Sequence, residues 1–240
     1  MAFDNDTQSV LRTGSRAQAS EIDQGLRTYM LKVYNYMASG LALTGVVAMA
    51  TSSSDALMQT IYGSPLQWVV MLAPLGFILA LSFGLNKMST TTVQGLFWAF
   101  AGVMGLSLSY IFLAYTGASI ARVFFITAGT FAGMSLYGYT TKRDLTGFGS
   151  FLMMGLIGLL IAMVVNIFLQ STMLHFIISA AGVLIFVGLT AYDTQKIKAI
   201  YSATDAAATN TKKAIMGALT LYLDFINLFI MLLRLFGERR

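Results

Sequence analysis

The chain has 240 residues, of which 57% are hydrophobic and only 10% are charged, and its mean hydropathy is +0.73. Soluble domains carry roughly 25% charged residues, so this composition excludes an ordinary water-soluble domain and predicts an integral membrane protein. Cysteine is absent and histidine occurs once, which excludes disulfides, thiolate metal sites and any site that needs two imidazoles. The net charge of +5 comes from scattered residues with no dense basic run, so we expect no nucleic-acid partner.

The N-terminal segment, residues 1–24, differs in composition from the rest of the chain. It combines serine, glutamine, threonine and both signs of charge with little hydrophobicity, which predicts a flexible cytoplasmic tail. It lacks the short apolar core and small-residue cleavage site of a signal peptide. Residues 25–240 are therefore predicted to form a single transmembrane domain whose first span serves as an uncleaved insertion signal.

The apolar runs predict seven membrane spans. A helix needs about 20 mainly apolar residues to cross the hydrocarbon layer, and the longest uncharged run, residues 145–192, is long enough for two spans. Gln170, Ser171 and Thr172 are polar and poor helix formers, so they predict a hairpin within that run. With ends uncertain by about two to four residues, the predicted spans are 31–51, 66–86, 95–115, 120–140, 148–169, 173–196 and 214–236. The fold class is thus an all-α integral membrane protein.

Lysine and arginine positions predict the orientation, because cytoplasmic loops retain positive charge. With the N-terminus in the cytoplasm, most of the 15 basic residues lie in cytoplasmic segments: Arg12, Arg16, Arg27, Lys32, Lys87, Lys142, Arg143, Lys196, Lys198, Lys212 and Lys213. Outside lie Arg122 and three arginines of the tail, Arg234, Arg239 and Arg240. These three leave a second arrangement open, in which the last segment re-enters the membrane and the tail stays cytoplasmic.

Small residues predict where helices pack closely, since lipid provides no hydrophobic force between them. Gly129 and Gly133 have close-contact spacing in the fourth span. Gly102, Gly105 and Ser109 share one face of the third span. We interpret both patterns as packing faces within the bundle rather than between two copies of the chain.

Two aspartates lie where a charge is expensive. Asp224 is at the centre of the otherwise uncharged segment 214–233, and Asp193 closes the long uncharged run. A carboxylate near the middle of a spanning helix costs about 2.5–3.5 kcal/mol on insertion scales, so such residues usually face a bundle interior or a water-filled cavity. Asp193 and Asp224 are therefore the candidate functional residues.

Helical spacing places further polar residues beside Asp224. Gly217, Thr220, Asp224, Asn227 and Met231 share one face of the last span, which predicts that this face lies inside the bundle. The last two spans are consecutive and antiparallel. Asp193 is therefore expected to approach Asp224 if the sixth span continues past Lys196.

Two stretches resemble the transmembrane Bax inhibitor motif family. Residues 188–197 read Gly-Leu-Thr-Ala-Tyr-Asp-Thr-Gln-Lys-Ile, and residues 218–229 read Ala-Leu-Thr-Leu-Tyr-Leu-Asp-Phe-Ile-Asn-Leu-Phe. Chain length, hydropathy and Lys32-Val33-Tyr34 agree with the resemblance. It implies a seven-transmembrane-helix bundle with the last helix near the centre, multi-pass in a bacterial inner membrane. It also implies that Asp193 and Asp224 form a pH-sensitive site that governs calcium leak.

The resemblance has one departure. In some bacterial members an arginine and a glutamate of the second span help to lock the closed state. Residues 66–85 contain neither, and only Asn86 and Lys87 follow. Whether a second-span latch exists here stays open.

The chemistry of a carboxylate pair agrees with a weak cation site. Two carboxylates close together at low dielectric cannot both ionise cheaply, so they share a proton or hold a cation. Calcium takes six to eight oxygen ligands, and Thr220, Asn227 and Tyr192 are predicted supporting polar residues. We expect a weak, transient calcium site, no resident cofactor, and a leak that changes most between about pH 5 and pH 8.

Three alternatives remain at this point. The pair could be a hydrogen-bonded staple between the last two spans. Other bacterial relatives are associated with a membrane-bound ATP-dependent protease, so a non-conducting regulator with that partner is the second alternative. The third is an intramembrane aspartyl protease, which the Leu-Tyr-Leu-Asp context and the lack of any proline after Pro74 disfavour. We expect that the protein is not an enzyme. The expected partners are the lipid bilayer and calcium ions, with that protease as a further candidate. The single histidine, His175, is expected to be water-exposed at the membrane interface.

Overall fold

The computed structural model describes the backbone of residues 3–240 and the side chains of residues 23–240. Over this range the regular elements are helices: α1 (Phe3–Ser52), α2 (Asp55–Tyr62), α3 (Leu66–Gly84), α4 (Thr90–Leu108), α5 (Ile111–Ala114), α6 (Gly117–Thr140), α7 (Thr146–Leu169), α8 (Thr172–Ala199) and α9 (Ala207–Phe236). Within the part of the chain that the structure describes, seven helical segments are long and apolar enough to cross a membrane, with α4 and α5 counted together.

The predicted hairpin between the fifth and sixth spans is confirmed. Helix α7 ends at Leu169, and Gln170 adopts a left-handed conformation with φ of 50°. The Ser171 amide donates to Asn166 Oδ1 at 3.0 Å, and the Ser171 hydroxyl accepts from the Leu174 amide at 3.2 Å. One polar turn therefore caps the end of α7 and the start of α8.

The helices that contain the first and last spans begin earlier than the predicted spans. Helix α1 begins at Phe3 and α9 at Ala207, because polar residues continue both helices beyond the apolar runs that a hydropathy argument counts. Most of the segment predicted as a tail, residues 1–24, is thus part of α1, while its flexibility and cytoplasmic position stay predictions. The short helix α2 was not predicted; the Ser54 hydroxyl caps it, and it buries Met58 and Ile61.

The connections alternate between two ends of the bundle. We call one the lysine end; it contains Lys87, residues 141–145 and the α8–α9 connection, residues 200–206. There the Gln195 amide nitrogen donates to the Arg143 carbonyl at 2.8 Å, and Lys212 Nζ donates to the Leu85 carbonyl at 3.4 Å.

We call the other the arginine end; it contains α2, α5, the hairpin and the C-terminal strap, residues 237–240. The Thr116 amide donates to the Glu238 carbonyl at 3.0 Å there. Helix α9 therefore runs from one end of the bundle to the other, which agrees with seven full spans and not with a re-entrant last segment.

Helix α9 is the central helix, as the resemblance implied. It packs against α1, α4, α6 and α8. Of the residues in its most apolar 18-residue stretch, 72% are buried. The predicted inward stripe is confirmed for Gly217, Asp224 and Met231, but Leu221 and Leu228 on other faces are equally buried. Protein surrounds α9 on nearly every side, so its apolar faces contact other helices rather than lipid.

In the third span the predicted packing role is confirmed for Gly105, whereas a methyl group at Gly102 would have no atom within 4 Å. A methyl group at Gly105 would lie 2.7 Å from the Thr44 carbonyl oxygen, so α1 and α4 approach closely there. Gly129 and Gly133 are exposed and have no atom within 4 Å of such a methyl group. Their predicted role in bundle packing is wrong, because the buried face of α6 instead runs through Val123, Thr127, Phe131 and Ser135.

The contact between α6 and α8 predicts the effect of one substitution. A methyl group at Gly138 would overlap the backbone carbonyl of Ala191, and backbone atoms cannot move aside as a side-chain end can. We expect Gly138→Ala to lower the free energy of unfolding by about 1–3 kcal/mol, measured as a lower melting temperature in detergent. Gly129→Ala is the matched control and should melt as wild type does. Equal melting of the two variants would contradict the close approach.

Candidate functional site

The two aspartates predicted to meet do lie side by side. Asp193 is on α8 and Asp224 on α9, with exposures of 9% and 5%, and the two carboxyl groups are close enough to affect each other's ionisation. Both side chains are thus inside the protein rather than facing lipid.

Close helix contacts on either side of the pair set its register. A methyl group at Gly217 would lie 2.9 Å from the side chain of Ile197, and one at Gly182 would lie 2.9 Å from the side chain of Met231. These contacts fix how α8 and α9 are aligned along their length. The absence of side chains at both glycines lets the helices approach closely enough for the carboxyl groups to meet.

The pair lies nearer to the lysine end than to the arginine end. At a rise of about 1.5 Å per residue, Asp193 is about 9 Å along α8 from Ala199 and about 32 Å from Thr172. Between Asp224 and the end of α9 at the arginine end, Leu228, Met231 and Leu232 are buried. Packed apolar side chains therefore close the route from the pair to the arginine end.

In the described part of the chain, the surroundings of the pair do not supply a charge or hydrogen-bond partner for every carboxylate oxygen. Lys196 is the cation that acts on Asp193, and its Nζ lies 5.9 Å from the centroid of the Tyr192 ring. Asp224 Oδ2 is buried and has no hydrogen-bond partner among the described residues. A buried carboxylate oxygen without a partner is costly, so this atom requires a proton, a water molecule or a cation.

The three predicted supporting residues, Thr220, Asn227 and Tyr192, make their described contacts with groups other than the two carboxylates. Thr220 Oγ1 donates to the Met216 carbonyl at 3.1 Å, and Asn227 Nδ2 donates to the Leu223 carbonyl at 2.8 Å. Both side chains thus bond within their own helix, although their oxygens keep lone pairs for a ligand. The Tyr192 ring packs where a Cβ at Gly149 would lie. Support of the pair by these three residues stays a prediction.

A cation at this position would take most of its ligands from outside the pair. Within residues 23–240, no group of three or more histidine, cysteine, aspartate or glutamate side chains could hold a metal ion. Calcium prefers six to eight oxygens, so carbonyl groups and water would supply the rest. Such a ligand set favours brief occupancy over storage.

A chain of hydroxyl groups beside Asp193 was not predicted. Thr194 Oγ1 lies 3.0 Å from Ser135 Oγ, which lies 2.7 Å from the Tyr34 hydroxyl. The chain joins α8 to α6 and α1 and reaches a groove of about 1430 Å³ between α1 and α6, which Phe225 of α9 also lines. The pattern of a single helix does not reveal which hydroxyl groups bond across helices, so the sequence offered no signal for it.

The second span lies away from the pair. Helix α3 packs against α2 and α4. Only 17% of the residues in its most apolar 18-residue stretch are buried. His175 is half-buried in the first turn of α8, at the arginine end. Neither feature belongs to the carboxylate site.

Comparison with known proteins agrees with the motifs. Residues 26–240 match the family model described as inhibitor of apoptosis-promoting Bax1. An uncharacterized protein of Rickettsia prowazekii is 53% identical over 218 residues, which cover 91% of this chain and 92% of that protein. The inner membrane protein YbhL of Escherichia coli is 49% identical over 219 residues, covering 90% and 94%. An uncharacterized protein of Caulobacter vibrioides is 47% identical over 234 residues, covering 91% and 92%.

Proposed function

The chain belongs to the family of the inhibitor of apoptosis-promoting Bax1, and we propose that it is a pH-sensitive, calcium-permeable leak channel governed by Asp193 and Asp224. The observation that carries the proposal is the buried carboxylate pair between α8 and the central helix α9, with one oxygen of Asp224 unpartnered. The family assigns no enzyme class, and the function that we propose is not catalytic.

The protonation of the pair supplies the switch. When the two carboxyl groups share one proton, a hydrogen bond joins α8 to α9 and the apolar packing beyond Asp224 stays closed. When that proton leaves, two negative charges face each other in a poorly polarisable interior, where their repulsion is several-fold stronger than in water. A cation or a separation of the helices relieves this repulsion, so proton loss couples ion entry to helix movement.

Lys196 limits this repulsion without removing it. It is the cation that acts on Asp193, whereas the charge that acts on Asp224 is that of Asp193. Asp224 therefore depends on a proton or a permeating cation for compensation. This asymmetry supports our assignment of Asp224 as the residue that a permeating cation contacts at the deepest point of the site.

Flux through reconstituted protein tests the proposal. Liposomes that enclose a calcium-sensitive dye should fill faster with the protein than without it, and the rate should change between about pH 5 and pH 8. A leak equal to that of empty liposomes at every pH would contradict channel function and favour the non-conducting regulator of a membrane protease.

We also propose the orientation in the bacterial inner membrane, with the N-terminus and the lysine end in the cytoplasm. The basic residues concentrate at that end, as cytoplasmic loops require. YbhL, a relative, is by name an inner membrane protein.

Cysteine labelling measures this orientation directly, because the natural chain has no cysteine. We expect Lys142→Cys and Ser202→Cys to resist an impermeant maleimide in intact cells and Glu238→Cys to react with it. After permeabilisation all three should react, which controls for accessibility. Reaction of the first two in intact cells would reverse the orientation.

A further inference from the structure

Four cationic or titratable side chains meet at the arginine end, away from the carboxylate pair. Arg234 in the last turn of α9, Arg239 and Arg240 of the C-terminal strap, and His175 in the first turn of α8 line one cavity of about 560 Å³. Residues of α4, α5, α8, α9 and the strap line this cavity, so it forms only when these parts of the chain pack together.

Backbone hydrogen bonds hold the strap at the mouth of the cavity. The Arg240 amide donates to the Ala114 carbonyl at 3.1 Å, and the Glu238 amide donates to Ser119 Oγ at 3.0 Å. The strap also forms an isolated antiparallel bridge between Tyr115 and Arg239. The two strap arginines are therefore positioned by the fold rather than carried on a loose end.

Among the side chains of residues 23–240, no acid neutralises the positive charge of the cavity. The acidic residues of this range at the arginine end are Asp55 and Glu238; neither lines the cavity, and Glu238 pairs with Arg122 at 3.4 Å. Among the described side chains, the three guanidinium groups of the cavity take part in no ion pair or hydrogen bond.

The walls of the cavity are apolar, and its surroundings are those of a membrane interface. Leu108, Ile111, Ile230 and Leu233 line it, and Phe236, at the end of α9 beside it, is 62% exposed. A basic rim above an apolar wall matches an amphiphile whose anionic group binds the arginines while its hydrocarbon chain follows the wall. Such a ligand also explains why arginines concentrate at an end where the charge rule disfavours them.

We propose that this cavity binds the phosphate group of an anionic phospholipid from the leaflet at the arginine end. One guanidinium group can donate two parallel hydrogen bonds to the oxygens of a phosphate group. Each basic residue near an anionic headgroup also contributes electrostatic attraction. This site is independent of the proposed channel function, since no residue is shared with the carboxylate pair.

Delipidated full-length protein in neutral detergent provides the test, with melting temperature and native mass spectrometry as readouts. Phosphatidylglycerol should raise the melting temperature and remain bound. Phosphatidylcholine and inorganic phosphate at equal concentration should have little effect. Equal stabilisation by phosphatidylcholine would overturn the anionic preference, and equal stabilisation by inorganic phosphate would overturn the lipid assignment.

A charge-matched pair of variants locates the site. Arg234→Gln, Arg239→Gln and Arg240→Gln combined should weaken phosphatidylglycerol binding by about tenfold to a hundredfold. Lys87→Gln, Lys142→Gln and Arg143→Gln combined remove the same charge at the lysine end and should bind as wild type does. If the first triple variant does not fold, the three single variants, each expected to lose about fivefold, replace it. Unchanged binding in the triple variant, or in all three single variants, overturns the site.

Discussion

Asp224→Asn should change the calcium leak by at least about tenfold while the protein stays folded. Asparagine keeps the shape of the side chain and can donate a hydrogen bond to Asp193, but it carries no charge and needs no shared proton. A coupling of about one pK unit corresponds to about 1.4 kcal/mol, or a factor of about ten in the equilibrium between closed and open states. The measurement is dye-reported calcium entry into liposomes at fixed protein density.

The control for this variant is Asp144→Asn, which removes the same charge outside the bundle. Asp144 lies in the connection between α6 and α7, and its carboxylate accepts hydrogen bonds from the hydroxyl and amide of Thr146. The amide oxygen of asparagine can accept the same two hydrogen bonds, so this variant should fold and leak as wild type does. Equal leak from Asp224→Asn and Asp144→Asn would contradict the assignment of Asp224 to the conduction site.

Folding of the variant distinguishes the channel from the staple alternative. If the pair served only to join α8 to α9, substitution at Asp224 would lower the melting temperature. The misfolded variant would then conduct no calcium that could be compared with the wild-type leak. If the protein is instead a regulator of a membrane protease, the melting temperature and the flux should both be unchanged. We expect a monodisperse protein in detergent with altered flux, which neither alternative produces.

The sequence predicted the spans because hydrocarbon imposes length and apolarity on each helix. The same rule did not predict α2 or the polar beginning of α9, since neither has to satisfy a bilayer. It also did not distinguish the buried face of α6 from the exposed face that contains Gly129 and Gly133. Small residues permit a close approach, but whether another helix makes that approach depends on the tertiary arrangement.

The candidate site was predictable to the extent that burial of charge is costly. Asp193 and Asp224 are conspicuous because Asp193 closes a long uncharged run and Asp224 interrupts another, and antiparallel helices brought them together. The hydrogen bonds of Ser135, Thr194 and Tyr34 were not predictable, because hydroxyl groups are common in spanning helices and usually bond to their own helix. Thr220 does so here, whereas Ser135 joins three helices.

The last prediction concerns the pH dependence of the leak. In wild type the shared proton makes the leak change most between about pH 5 and pH 8, because two interacting carboxyl groups titrate as one unit. The charged groups that act on the pair are the two aspartates themselves and Lys196. Asp144 does not contribute, since its hydrogen bonds to the Thr146 hydroxyl and amide keep the pKa of Asp144 below its ordinary value, and it stays ionised over this range.

Asp193→Asn and Asp224→Asn should each abolish the transition or move its midpoint by at least about one pH unit. In both variants the remaining carboxylate faces a neutral amide, so the repulsion that made the two groups share a proton is gone. Lys196→Gln keeps the pair and removes its neighbouring cation, so it should shift the midpoint while the transition persists. Flux measured from pH 5 to pH 8 in wild type and these variants, with Asp144→Asn as control, tests the coupling. An unchanged midpoint in either aspartate variant would show that the two carboxyl groups titrate independently, and the pair would then not be the pH sensor.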